Sequence, residues 1–211
     1  MSSKISRWAG TIGIGAIVLL GQSIANAKNS VELVNTSNPS AVAISVSRGQ
    51  GSGDYFSSAL RKQKQGDARG ALADYNRAIK LNSRNANAYY NRGLLKATKL
   101  QDDQGALADY NRAIQLKPNY DAAYNNRANL KAALQDYQGA LADYNRAIQI
   151  RPRNANAYYN RGVLKYANLK DRAGGISDLQ KAAKLSQRQG NTQDYQAAND
   201  LLQQWQQTSG N

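Results

Sequence analysis

The sequence predicts an all-α fold in which pairs of helices repeat along the chain, and two observations lead to this prediction. The word ALADYNRAI occurs at residues 71–79, 106–114 and 140–148 of the 211-residue chain. Tyrosine-rich words precede the last two copies and open a fourth unit, at 89–93, 124–128 and 158–162. Self-similarity at a spacing of 34 or 35 residues is typical of a solenoid. A solenoid of paired helices usually holds other proteins on its surface and builds no pocket for chemistry.

The first 27 residues have the three parts of a secretory signal peptide. Lys4 and Arg7 give a positive start, and residues 9–20 form an apolar run too short to span a bilayer. Ala25 and Ala27 are small residues suited to cleavage. We therefore predict export to a periplasm, a thylakoid lumen or the cell exterior, with no integral membrane span in the mature chain. An uncleaved membrane anchor is the alternative.

Residues 28–51 are rich in Ser and Asn, have no helical period and are predicted to form a flexible leader. The four helix pairs that follow are predicted at 52–85, 86–120, 121–154 and 155–189. Gly, Asp or Gln marks the turn within each pair, and Pro118 and Pro152 end the second helices of units two and three.

Small residues recur where the two helices of a pair must touch closely, and a larger side chain is expected to fill each contact. The small residues are Ala71, Ala78, Ala106, Ala113, Ala140, Ala147, Gly175 and Ala182, and the larger ones are Tyr75, Tyr110, Tyr144 and Leu179.

A last helix is predicted over 192–207, within a capping segment at 190–211. Its apolar side chains recur at helical spacing, at Tyr195, Ala198, Leu201, Leu202 and Trp205. Such a helix covers the apolar face that the final repeat would otherwise expose. Its polar face is neutral, which argues against a membrane-surface helix.

These recurring motifs resemble the tetratricopeptide repeat. Its pattern, an aromatic residue, then Gly or Ala, then Ala-x3-aromatic-x2-Ala-x4-Pro, extends over 34 residues. Words such as Tyr158-Tyr159-Asn160-Arg161-Gly162 are similar to those of exported repeat proteins of cyanobacteria and related bacteria. The resemblance implies a right-handed superhelical solenoid of four helix pairs plus the capping helix. It also implies a non-catalytic scaffold or adaptor that binds an extended peptide or a partner protein in its concave groove.

Two slots depart from the family pattern, and both hold basic residues. The slot before the Gly or Ala, usually Leu, holds Arg92, Arg127 and Arg161. The slot three residues after it, usually Tyr, holds Lys62, Lys96, Lys131 and Lys165. An Asp recurs before each second-helix aromatic or Leu, and pairing within a unit would leave Asp74 without an arginine. We therefore expect pairing with the next unit, as Asp74–Arg92, Asp109–Arg127 and Asp143–Arg161.

The resemblance places three groove-lining slots on each first helix. The first holds Phe56, Tyr90, Asn125 and Tyr159, the second holds Ser57, Asn91, Asn126 and Asn160, and the third holds Leu60, Leu94, Asn129 and Val163. Amides can bind both N–H and C=O groups of an extended backbone, and aromatic rings add flat apolar area. The alternative is that the asparagines join neighbouring repeats and bind nothing. Some family members clamp a C-terminal carboxylate with Lys in the first slot and Arg in the second. This chain has neither, so we predict no preference for such a tail.

The composition excludes several kinds of chemistry. Histidine and cysteine are absent, which removes Ser-His-Asp and Cys-His catalysis and zinc sites built on these residues. We predict no enzyme activity, no cofactor and no metal, and leave the oligomeric state open.

The net charge of +14 supports an alternative function. In this alternative, the protein attaches to an anionic polymer or membrane. The contact is made by basic stripes on the second helices and by the four first-helix lysines. Nucleic acid is not predicted as a partner, because the cations recur once per repeat and are not gathered on one face with interleaved aromatics. Salt separates the two functions, since attachment through exposed charges weakens steeply as salt rises.

The small residues that end at Ala27 predict cleavage after this residue. Mass spectrometry of the protein recovered from cells should find Lys28 as the first residue. An intact form that begins at Met1 and is recovered in membranes would support the anchor instead.

Overall fold

The structure is a computed structural model that describes residues 51–207, and within this range the chain forms nine α-helices, one short π-helix and no strand. The α-helices are α1 Ser52–Lys64, α2 Ala68–Leu81, α3 Ala86–Leu95, α4 Asp103–Leu116, α5 Asp121–Ala133, α6 Tyr137–Ile150, α7 Ala155–Ala167, α8 Arg172–Arg188 and α9 Thr192–Gln207. The π-helix, Lys96–Leu100, directly follows α3. Each helix packs against the next one along the chain. The predicted all-α repeat with a final helix is confirmed. None of these helices combines the length and apolar character needed to cross a membrane. The predicted signal segment and the leader up to residue 50 lie outside the described residues.

Every second helix begins at an aspartate that caps it. Asp67, Asp102, Asp136 and Asp171 each accept a hydrogen bond, 2.8–2.9 Å long, from the backbone N–H of the glycine three residues later. The cap satisfies a backbone donor, and its negative charge suits the positive end of the helix dipole. The residue before each aspartate has a positive φ between 55° and 83°. The turn sequences therefore both end one helix and start the next.

Small residues let the two helices of each pair approach closely, as predicted. Ala71, Ala106 and Ala140 are fully buried, and each belongs to a core cluster with the second-helix tyrosine of its own unit. In unit four both helices carry glycine at the contact. A Cβ on Gly175 would lie 2.7 Å from the Cβ of Tyr166 and 2.8 Å from the carbonyl oxygen of Gly162. No other residue allows so close an approach of two backbones.

A buried aspartate joins the two helices of each pair. In unit two, Asp109 is only 3 % exposed, and Arg92 donates hydrogen bonds of 2.9 and 2.6 Å to its two oxygens. Lys96 Nζ lies 2.9 Å from the same carboxylate. Units three and four repeat the arrangement, with Arg127 and Lys131 on Asp143 and with Arg161 and Lys165 on Asp178. Two-point pairing with arginine is among the strongest that a carboxylate can form.

The predicted pairing of each aspartate with the arginine of the next unit is wrong. A Cβ on Gly93 would lie 3.1 Å from the Cβ of Asp109, so the helices touch at this point. Arg92 directly precedes Gly93 and therefore reaches the aspartate of its own unit. The first-helix lysines, expected to contribute to basic stripes, bind the buried aspartates instead. Most of their charge is therefore neutralised inside the fold.

The same arginines also connect neighbouring units. Arg92 Nη1 donates a 2.7 Å hydrogen bond to Asn76 Oδ1 on the preceding second helix. Arg127 and Arg161 bind Asn111 and Asn145 in the same way, at 2.6 and 2.7 Å. Each guanidinium thus links three helices. Unit one has no unit before it, and Ser58 stands in its arginine slot.

Unit one balances its buried aspartate with other cations. Lys62 Nζ lies 2.6 Å from Asp74, and Arg77 Nη1 lies 3.4 Å from it. Burial acts to raise the pKa of Asp74, but hydrogen bonds from Lys62 and Ser58 and the charges of Lys62 and Arg77 together lower it. The ionised carboxylate therefore stabilises the fold above the pKa of a free aspartate. This contribution is lost as the pH falls through the lowered pKa.

The final helix covers the end of unit four. Ala198 and Trp205 of α9 are buried in one cluster with Leu179 and Ala183 of α8. The Trp205 ring stacks on Tyr166 of α7, with centroids 3.8 Å apart and planes 4° from parallel. The predicted capping role of this helix is confirmed.

Replacing Arg127 by Leu tests the pairing within a unit. We expect the free energy of unfolding to fall by about 2 kcal/mol, because Asp143 stays buried with one cation fewer. In double-mutant cycles measured by denaturant unfolding, Arg127→Leu should couple strongly with Asp143→Asn and add simply with Asp109→Asn. Coupling of Arg127→Leu to Asp109→Asn instead would support pairing between units.

Replacing Gln135 by Gly tests the turn geometry. Gln135 has a φ of 64°, a conformation that is costly for any residue with a Cβ. Gln135→Gly should raise the free energy of unfolding by about 0.5–1 kcal/mol. The matched change Gly66→Ala, at a φ of 83° in unit one, should lower it. A stability loss in Gln135→Gly would show that its side chain makes a contact worth more than the strain.

Candidate functional site

The candidate site is the first-helix face, which we define by the three predicted slots on α1, α3, α5 and α7. Its aromatic residues are partly buried. Phe56 packs on Tyr75, with ring centroids 6.1 Å apart. Tyr90 packs between Tyr110 at 6.1 Å and Tyr120 at 4.9 Å. The rings therefore serve the core with one side and leave part of their surface accessible.

Hydrogen bonds tie the second-slot asparagines down. Asn126 Nδ2 donates to the hydroxyl oxygen of Tyr90 at 2.9 Å, and Asn160 Nδ2 donates to Asn129 Oδ1 at 3.0 Å. Both bonds join one unit to the preceding one. Asn91 Nδ2 donates to the backbone oxygen of Asn87 within its own helix, at 2.8 Å. We call these three bonds the amide ladder.

The ladder uses the N–H groups of these amides and leaves their carbonyl oxygens unused. Within residues 51–207, Oδ1 of Asn91, Asn126 and Asn160 accepts no hydrogen bond from the protein, and all three residues are only partly buried. One free acceptor thus recurs on each of three successive first helices. The third-slot residue Asn129 is exposed, but its Oδ1 already accepts bonds from Asn160 and from the Tyr144 hydroxyl.

Two predicted groove residues are largely covered. Leu94 and Asn125 are each only 9 % exposed. Asn125 Oδ1 is buried without a hydrogen-bond partner, the sole such side-chain atom within residues 51–207. A buried acceptor without a partner costs about 1–3 kcal/mol, so this asparagine does not stabilise the fold through its amide.

The capping helix α9 packs against the unit-four end of the first-helix face. Tyr159 and Val163 pack against the cluster that contains Trp205 and Ala198 of α9. The slots predicted in unit four are therefore brought together with α9.

Sequence reasoning missed two residues of the face. Tyr120, in the loop before α5, donates its hydroxyl to Asn87 Oδ1 at 2.9 Å, and its ring packs against that of Tyr90 in a tilted arrangement. Asn87 could have been found, because it lies one helical turn before Asn91 on the same face. Tyr120 could not, because no other unit has a tyrosine at this point of the loop.

The tyrosines of the face remain neutral phenols at physiological pH. Burial raises the pKa of Tyr90, with Asp121 acting in the same direction and the hydrogen bond from Asn126 acting against both. Burial, Tyr90 and Asp121 raise the pKa of Tyr120. Burial and Asp194 raise the pKa of Tyr159. The predicted slots contain no ionisable side chain other than these tyrosines, so the face offers amides, hydroxyls and rings.

Family models match the repeat region. A TPR repeat model matches residues 63–99 and 128–168, and a tetratricopeptide repeat model matches residues 86–120. A search of curated protein sequences finds no significant match.

Solved structures show the same architecture. The first TPR of Spaghetti, bound to the HSP90 peptide SRMEEVD, is 25 % identical with a TM-score of 0.53, over 55 % of this chain and 91 % of that one. The Arabidopsis OM64 TPR domain is 28 % identical with a TM-score of 0.53, over 55 % and 94 %. MamA is 16 % identical with a TM-score of 0.58, over 75 % and 93 %, a likeness of fold alone. The chain therefore carries tetratricopeptide repeats between residues 63 and 168 and folds as an all-α helical repeat.

Proposed function

We propose that this protein is a non-catalytic scaffold or adaptor that binds an extended peptide or a partner protein along its first-helix face. The observation that carries the proposal is the row of free carbonyl oxygens on Asn91, Asn126 and Asn160. The ladder fixes each amide through its N–H group, so the oxygens are held in place before a partner arrives. An acceptor that is already positioned loses little entropy on binding.

The chemistry of the face suits recognition through the main chain. An extended peptide presents backbone N–H groups at intervals, and these can donate to the free amide oxygens. The partly exposed rings of Phe56 and Tyr90 supply flat apolar area at low entropic cost. Because the predicted slots hold no charged side chain, we expect weak dependence of this binding on salt.

The preferred peptide differs from the one bound by the similar Spaghetti domain. That peptide, SRMEEVD, has three acidic residues among its last four. The first and second slots of this chain contain neither Lys nor Arg to pair with such a tail. We therefore propose a partner segment that is neutral where it crosses the first-helix face.

Export remains part of the proposal. Its support is the positive start, apolar run and small residues within the first 27 residues. The partner is then a protein of a periplasm, a thylakoid lumen or the cell exterior. An extract of that compartment is the material in which to search for it.

The alternative, attachment of a cationic surface to an anionic polymer or membrane, has less support than the net charge suggests. Lys62, Lys96, Lys131 and Lys165 bind buried aspartates, so one of the two basic sets that the alternative requires is neutralised. Only the second-helix cations remain available for such attachment.

A pair of matched variants tests the role of the amide oxygens. Asn126→Ala removes the free acceptor and the bond to Tyr90, whereas Tyr90→Phe removes that bond but keeps the acceptor. We expect Asn126→Ala to weaken binding of a partner captured from the extract by about 1 kcal/mol, measured by calorimetry. Tyr90→Phe should weaken binding less, because the acceptor remains and only the bond that positions it is lost. Equal losses in both variants would mean that the ladder is purely structural.

Salt and the opposite face provide the controls. Binding through the first-helix face should change little between low and high salt, and Arg112→Gln with Arg146→Gln should leave it intact. If the arginine changes abolish binding and Asn126→Ala is silent, the first-helix proposal fails and the cationic alternative replaces it.

A further inference from the structure

The second helices carry a row of cations at one repeated position. We call Arg77, Arg112, Arg146 and Lys181 the outer row, since each follows the buried aspartate of its unit by three residues. Arg112 and Arg146 precede the last turn of their helices, whose last turns hold no basic residue. The attraction of a helix C-terminus for cations therefore does not account for them. The buried ion clusters do not use them either, except at Arg77.

Most of the outer row has no acidic partner. Arg112 Nη1 donates to Gln115 Oε1 at 2.5 Å, and Arg146 Nη1 donates to Gln149 Oε1 at 2.7 Å. Between residues 51 and 207, no carboxylate lies within 4.0 Å of the charged nitrogens of Arg112, Arg146 or Lys181. Only Arg77 touches an acid, Asp74 at 3.4 Å. Three units in succession therefore present an unpaired positive charge.

The lack of partners follows from where the fold uses its acids. Four aspartates are buried between the helices of the pairs, and four more cap the second helices at the turn within each unit. The exposed lysines at those turns, such as Lys64, Lys99 and Lys170, therefore lie near negative charge. The outer row lies further along the second helices, past both sets of acids, and its field is not cancelled locally.

We propose that the outer row binds an acidic segment of a partner protein, on a surface separate from the first-helix face. Arginine presents a planar fork of donors that matches a carboxylate. Each second helix packs on the first helix of the next unit, so one first helix separates successive cations of the row. An acidic segment that runs along the row can therefore meet several units at once.

Other polyanions fit this surface less well. Single-stranded nucleic acid needs exposed aromatic faces on which bases stack. Here the nearby tyrosine rings are covered by arginines, Tyr89 by Arg92 and Arg112, and Tyr55 by Arg77. A membrane-surface helix adds a broad apolar face to its cations. The only large apolar side chains exposed in the described part of the chain are Leu81 at the end of α2 and Leu134 just after α5.

Binding of poly-L-glutamate to the purified full chain tests the proposal. The row variant changes Arg112, Arg146 and Lys181 to Gln. The control variant changes Lys64, Lys99 and Lys170 to Gln and removes the same charge elsewhere. At low salt we expect about tenfold weaker binding for the row variant and less than about twofold for the control. Thermal unfolding of both variants should match that of the unchanged protein, because none of the six side chains is buried.

Three results would overturn the proposal. The first is an equal loss of poly-L-glutamate binding in both variants, which would show that only the net charge of the protein matters. The second is tighter binding of single-stranded DNA or of phosphatidylglycerol vesicles than of poly-L-glutamate, with the same row dependence. The third is loss of poly-L-glutamate binding in Asn126→Ala, which would place the acidic segment on the first-helix face. Binding of poly-L-glutamate that survives in Asn126→Ala supports two separate surfaces, whether or not the first-helix proposal holds.

Discussion

The contact between a buried aspartate and its cations is the interaction on which the rest of this structure depends. A carboxylate in the seam between two helices is costly unless it is fully paired. The requirement is met by an arginine and a lysine from the first helix in units two to four, and by Lys62 with Arg77 in unit one. Because the arginines also bind an asparagine of the preceding second helix, the same contact fixes how one unit sits on the next.

This constraint decides where charge is found on the rest of the molecule. The first-helix arginines and lysines, which would otherwise line a surface, are directed into the seams. The predicted first-helix slots are left with amides, hydroxyls and rings. The acids are used in the seams and at the helix caps, so the second helices keep cations without partners. The neutral first-helix slots and the unpaired cations of the second helices therefore have the same cause, the pairing of the buried aspartates.

The two predicted roles of the asparagines turn out to be compatible. An amide has two N–H donors and a carbonyl acceptor. Asn126 and Asn160 use a donor to join neighbouring units and keep the acceptor free. The bonds between units use only donors, and the proposed binding of a partner needs only the acceptors. Asn125 differs, since its buried oxygen has no partner and its amide gives the fold no stabilising hydrogen bond.

The sequence by itself determined the helices, the repeat and the seams, because these depend on local spacing. Periodic Ala and Tyr and the turn residues act within a few positions of one another, and the structure has them as expected. Only the tertiary structure decided which aspartate each arginine binds, since one repeat length separates two equivalent candidates in the sequence. The close approach at Gly93 selects the aspartate of the same unit. Likewise, only the fold brings Tyr120 beside Tyr90, which lies 30 residues earlier in the chain. The spacing of residues along the sequence does not contain that distance.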